Sequence, residues 1–209
     1  MKLYYFETPN PRKACAVARY LNSPVEFVHV NLAKGEHKTP DYLAINPNGK
    51  VPALQDGDFK LWEANAIMCY LAQKAGSDLW PRDERRQIEL VRWLTWSSEH
   101  FNRHAGKLYF EHIIKPKFGI GAPDEAGIIE ATGFFRQFAG VLNEHLRGRK
   151  YLLGDAPTVA DFAVGVTLPY AKQANIPLGE FPEIERWHAR LNEIAAWREP
   201  FPKETAAAA

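Results

Sequence analysis

In the stretch GKVPALQDGDFKLWEANAI, residues 49–67, Pro52 stands where a strand wants a backbone donor, and Glu63 stands where a helix starts. The N–H groups of Ala64 and Asn65 at that start suit a carboxylate, while the Glu63 side chain suits an ammonium group. The plainer reading is a hairpin followed by a capped helix. His37 and Lys38, in GEHKTP, are loop cations that either neutralise an anion beside them or are simply solvated. Earlier, TPNPRK at 8–13 offers Thr8 and Asn10 as hydrogen-bonding side chains in a turn. Asn10 followed by Pro11 makes a favoured N-cap and N1 pair. Arg12 and Lys13 then oppose the macrodipole in a first helical turn, which favours an anion nearby. His100 and His104, spaced i, i+4, have the separation of metal-binding histidines, but no third ligand has suitable spacing and no metal is expected. Cys15 and Cys69 show neither CxxC nor zinc spacing and read as buried structural thiols in a reducing cytosol.

Two kinds of pattern must position these groups. Over residues 1–76 strands and helices alternate. KLYYF at 2–6 is β-prone, and residues 11–21 carry Ala14, Val17, Ala18 and Leu21 at helical spacing. VEFVHVNL at 25–32 reads as a strand, and 39–46 as a short helix stopped by Pro47 and Gly49. VPALQ and FKLW flank Asp56-Gly57-Asp58 as a hairpin, and Ile67, Tyr70, Leu71 and Ala75 mark a helix after Glu63. The order β-α-β-α-β-β-α gives a mixed sheet with helices packed on it. Residues 77–83 read as a linker to a second domain at 84–202. There every pattern is helical: 84–115 stopped near Pro116, 124–147, 158–174 kinked at Pro169, and 183–196. Thr158-Val159-Ala160-Asp161 is a capping box before an apolar run. Ala206–Ala209 reads as a frayed end.

Composition narrows the function. A formal net charge of +1 over 209 residues, with both signs interspersed, gives no basic patch for nucleic acid. No apolar run approaches the roughly 18 residues of a membrane span. MKLYYFETPN lacks the apolar run and cleavage site of a signal peptide, so a cytoplasmic location is expected.

GEHKTPDYLAINPNGKVPALQDGD, WEANAI and YLLGDAPTVADF together resemble the glutathione S-transferases over nearly the whole chain. The GEHK and NPNGKVPAL stretches are similar to phi and theta class members, and TPN to the nu class. The resemblance implies a thioredoxin-like α/β domain followed by an all-helical domain, working as a cytoplasmic homodimer. It implies a cis bond before Pro52, with Val51 turned outward to pair with the cysteinyl residue of glutathione. Glu63 and Ala64 then meet the γ-glutamyl head, and His37, Lys38 and Lys50 the glycyl carboxylate. Ala64 departs from the Ser or Thr usual there. The thiol falls to Asn10, with Thr8 as the second choice, and His100, His104 and Tyr109 either line an electrophile pocket or belong to a mixed aromatic core. The implied activity is addition of the glutathione thiolate to an apolar electrophile. Two alternatives are glutathione-dependent reduction of disulfides or peroxides, and a catalytically weak binding or assembly module.

Overall fold

The computed structural model describes residues 1–202, so the alanine run at 206–209 lies outside them. The chain divides into two compact units, Met1–Trp80 with the segment from Glu193, and Pro81–Asn192.

The first unit follows the expected order. It contains β1 (Lys2–Tyr5), α1 (Pro9–Tyr20), β2 (Glu26–His29), a 3-10 turn at Glu36–Lys38 and α2 (Pro40–Leu43). Then come β3 (Ala53–Asp56), β4 (Phe59–Trp62) and α3 (Ala64–Lys74). The strand order is β2-β1-β3-β4, with β1 parallel to β2 and both other pairings antiparallel. A parallel pair needs a crossover, which α1 supplies. Gly57, at φ 59°, takes the left-handed turn position that a two-residue hairpin requires. Leu3, Leu54, Ile67, Met68 and Leu71 fill the core, with α1 packed against α3.

The second unit begins with one helical run in five pieces. These are α4 (Glu84–Trp96), a π stretch at Ser97–Phe101, α5 (Asn102–Tyr109), a second π stretch at Phe110–Ile114, and α6 (Lys115–Phe118). The run therefore passes Pro116, where a stop was expected, and ends at Gly119 with φ 64°. Widening the ladder just before Pro116 removes the demand for the N–H that proline lacks. Next are α7 (Glu125–Leu146), α8 (Val159–Val164), a 3-10 segment at Gly165–Tyr170 that takes up Pro169, and α9 (Pro182–Leu191). Asp161 is fully buried and accepts from Leu152 N–H (2.9 Å), Thr158 N–H (2.8 Å), Thr158 Oγ1 (3.1 Å) and Trp187 Nε1 (3.0 Å). The capping box is thus formed, and it also satisfies a buried tryptophan. Trp93 and Phe101 sit in this core with Phe135 and Phe162.

The expected helix 183–196 is two. It breaks after Leu191 and resumes as α10 (Ala195–Arg198), whose segment groups with the first unit. The break lets Trp197 bury completely there, with Arg12 Nη2 donating to its carbonyl oxygen and the guanidinium 5.3 Å from its ring centre. Among the described residues no helix is long and apolar enough to cross a membrane.

Candidate functional site

Strand register gathers three chain segments at one end of the sheet. Tyr4 pairs with Ala53, and Ala53 pairs with Trp62. Just beyond these pairs lie the exit of β1 toward Thr8, the entry of β3 at Val51-Pro52, and the exit of β4 at Glu63.

Thr8, not Asn10, is the N-cap of α1, with φ −129° and ψ 164°. Its carbonyl accepts Arg12 N–H at 3.0 Å, while its half-buried hydroxyl makes no capping bond. The helix opens one proline earlier than expected because first-turn amides have no intrahelical acceptor, so Pro9 and Pro11 are both tolerated. Asn10 is exposed within that turn and has the one N–H among its first three residues.

The Val51-Pro52 bond is cis. Val51 lies outside the ladder, and its N–H and C=O pair with no backbone group of the described residues. The chain entering it is held firmly. The Lys50 carbonyl accepts from Tyr42 Oη at 2.7 Å and from buried Asn46 Nδ2 at 2.6 Å. Asn46 Oδ1 in turn accepts Asn48 N–H at 3.0 Å. Gly49, at φ 57°, packs so closely that an added Cβ would lie 3.2 Å from the His37 carbonyl oxygen. That contact sets the Glu36–Lys38 turn beside the Asn46–Lys50 turn. His37 is half-buried, and its Nδ1 is buried with no protein partner. Lys38 and Lys50 are exposed and form no ion pair among the described residues.

Glu63 is the exposed N-cap of α3, at φ 70° and ψ 115°, and its carbonyl accepts Ile67 N–H at 3.0 Å. A non-glycine residue held there costs about 1–3 kcal/mol, and such outliers gather at ligand clamps. Its side chain caps nothing, so the opening of α3 is left to its own amides. Ala64, buried at the first position, adds only a methyl group.

Lys13 and Arg12 are both buried, which their place after a turn does not announce. Lys13 Nζ donates to Asn65 Oδ1 of α3 at 2.8 Å. Their odd position against the macrodipole was the available signal; Tyr42, Asn46 and Asn65 carried none. Cys15 is fully buried on α1 and its thiol pKa is raised by burial, while burial pushes Cys69 up to about 12. Neither thiol ionises at neutral pH.

In the second unit, His100 and His104 line a cavity of about 580 Å³ together with Phe134, Phe138 and the charged Arg103 and Glu130. His100 stacks on Phe138 at 4.7 Å and His104 on Phe134 at 4.8 Å. Burial, and then Arg103, hold the His104 pKa below its usual value. Among the described residues no group of three or more possible metal ligands forms. Tyr109 does not join this cavity. It is buried against Tyr170, ring centres 4.9 Å apart, and burial pushes it up to about 12.

Comparison with known proteins gives one consistent result. Residues 1–73 match the model for the glutathione S-transferase N-terminal domain, and residues 130–203 that for the C-terminal domain. Glutathione S-transferase 3 of Zea mays is 36% identical, with 99% of this chain and 94% of that protein covered. A solved glutathione transferase, F7 of Populus trichocarpa, superposes with TM-score 0.88 at 26% identity, covering 95% of this chain and 96% of the other. One from Burkholderia graminis, with two glutathione molecules bound per subunit, gives TM-score 0.85 at 26% identity, covering 97% and 88%.

Proposed function

Because the chain belongs to the glutathione S-transferase family, we propose that it binds glutathione at this end of the sheet and joins the thiolate to an apolar electrophile. The observation that carries the reading is the register. It sets Val51, which has no backbone partner among the described residues, a helix start at Glu63-Ala64 and the Thr8 turn at one end of the sheet. Main-chain pairing at Val51 suits the cysteinyl residue. The α3 terminus and Glu63 suit the γ-glutamyl carboxylate and ammonium respectively. His37, Lys38 and Lys50 suit the glycyl carboxylate.

Glutathione attacks as a thiolate, although a free thiol with pKa about 8.5 is mostly protonated at neutral pH. Thr8 is the better-placed donor for the anion, because its hydroxyl is uncommitted and it opens the helix. Asn10, exposed, is the second choice. Neither side chain is a base, so the thiol proton goes to water and the protein stabilises what remains. The sulfur lone pair then forms the C–S bond as the leaving group departs with the electrons of the bond it breaks. For the electrophile, the second unit offers the His100–His104 cavity, with partly exposed Tyr170 beside buried Tyr109 as the second candidate, and substitutions at His104 and Tyr109 tell them apart. A homodimer is part of the proposal, supported by exposed Phe59 and Trp62 on β4 and exposed Ile88 and Val91 on α4. A cytoplasmic site of action accords with two free, buried or half-buried cysteines.

Retention on immobilised glutathione, followed by assays with a chromogenic electrophile and with a disulfide, tests the reading. Binding with conjugation is the expected result. Binding with disulfide reduction alone would move the protein to a reductase, and no binding would leave only the fold.

A further inference from the structure

Lys13 is a buried cation with no task in the reading above. It is 7% exposed, on the second turn of α1, and its Nζ donates to Asn65 Oδ1 at 2.8 Å. That oxygen is the one hydrogen-bond acceptor its ammonium group meets among the described residues, so two of its three protons are uncommitted. Burying an ammonium group is costly unless it is paired, and a hydrophobic residue would join α1 to α3 with less penalty. Desolvation lowers its pKa to about 8, with Glu63 pulling the other way, so it stays charged at neutral pH. Asn65 is the second residue of α3, next to Ala64, whose methyl group offers an anion nothing. Positive potential at this helix start thus comes from the amides and from Lys13.

We propose that Lys13 is a positioning residue for the γ-glutamyl end of glutathione: it holds Asn65, fixes the first turn of α3 and adds its charge to that turn's grip on the carboxylate. The proposal rests on the glutathione reading above. Its effect belongs to binding and not to the sulfur, because Lys13 touches α3 and Thr8 opens the helix a full turn away.

The test is the affinity of S-methylglutathione, which has no thiol proton, for the full chain and for Lys13→Met, Asn65→Ala and the double variant. Each single change should weaken binding by about tenfold or more, the size expected of a charge-assisted bond. The double variant should be no weaker than the worse single one, since both break one connection. In turnover, KM for glutathione should rise while kcat and the pKa of the bound thiol stay in place. Wild-type affinity in Lys13→Met, or losses that simply add, overturns the proposal while leaving the site intact. If Lys13→Met does not fold, Asn65→Ala decides alone: unchanged affinity overturns the proposal. Failure of the wild type to bind S-methylglutathione overturns the glutathione reading and this proposal with it.

Discussion

Thr8 and Asn10 are two residues apart, yet the helix gives them different surroundings. Thr8 is the half-buried N-cap with an unused hydroxyl, and Asn10 is exposed. A depression of one pKa unit in the thiol needs about 1.4 kcal/mol, within the range of one donor to an anion. Thr8→Val should therefore raise the pKa of bound glutathione by about one unit and lower turnover more than binding. Asn10→Ala should leave that pKa unchanged, and the opposite pattern would return the role to Asn10. Ala64 makes a separate point about the other end of the ligand. Ala64→Ser adds a hydroxyl at the first position of α3 and should tighten glutathione by about 1–3 kcal/mol in a calorimetric titration. Unchanged affinity would put the γ-glutamyl group elsewhere.

The start of α3 and the capping box that starts α8 were both visible as patterns, the strain at the first was not, and the two differ in purpose. Glu63 holds φ 70° with no side-chain capping bond, a strain that the proposed ligand clamp would account for. Glu63→Gly should raise the urea midpoint, by relief worth about 1 kcal/mol, while weakening glutathione. A loss of both would make Glu63 structural. Asp161 serves stability: Asp161→Ala strands Leu152 N–H, Thr158 and Trp187 Nε1 and should cost about 3 kcal/mol or more. Burial pushes its carboxyl up to about 6, so the folded state holds a proton that the unfolded state has lost between about pH 4 and 6. Its contribution is complete below that window and falls as pH rises through it, and Asp161→Ala should flatten this slope. The order of elements along the first unit, the hairpin and the Thr158–Asp161 box could be read from sequence because turns and apolar periods are local, whereas the order of strands in the sheet was not read. The N-cap of α1 could not, since Pro9 and Pro11 both suit a first turn. The π stretches and the break after Leu191 depend on distant packing. So does the burial of Arg12 and Lys13, whose partners lie 185 and 52 residues away.

At the scale of the molecule, the first unit brings Thr8, Val51 and Glu63 to one end of its sheet, where the proposed glutathione site lies, and the second brings His100 and His104, but not Tyr109, to one cavity. Exposed Phe59, Trp62, Ile88 and Val91 leave apolar surface on both units, which predicts a dimer in sedimentation at micromolar concentration. Trp62→Glu should shift that equilibrium toward monomer, and a monomeric wild type would remove the assembly claim. The central claim is that this end of the sheet holds glutathione as a thiolate. It is tested most directly by a pH titration of the ultraviolet thiolate absorbance of glutathione bound to the wild-type protein. The account predicts half-ionisation at least one unit below the free thiol's value of about 8.5. Bound glutathione that ionises like the free thiol, or no bound glutathione at all, would contradict it.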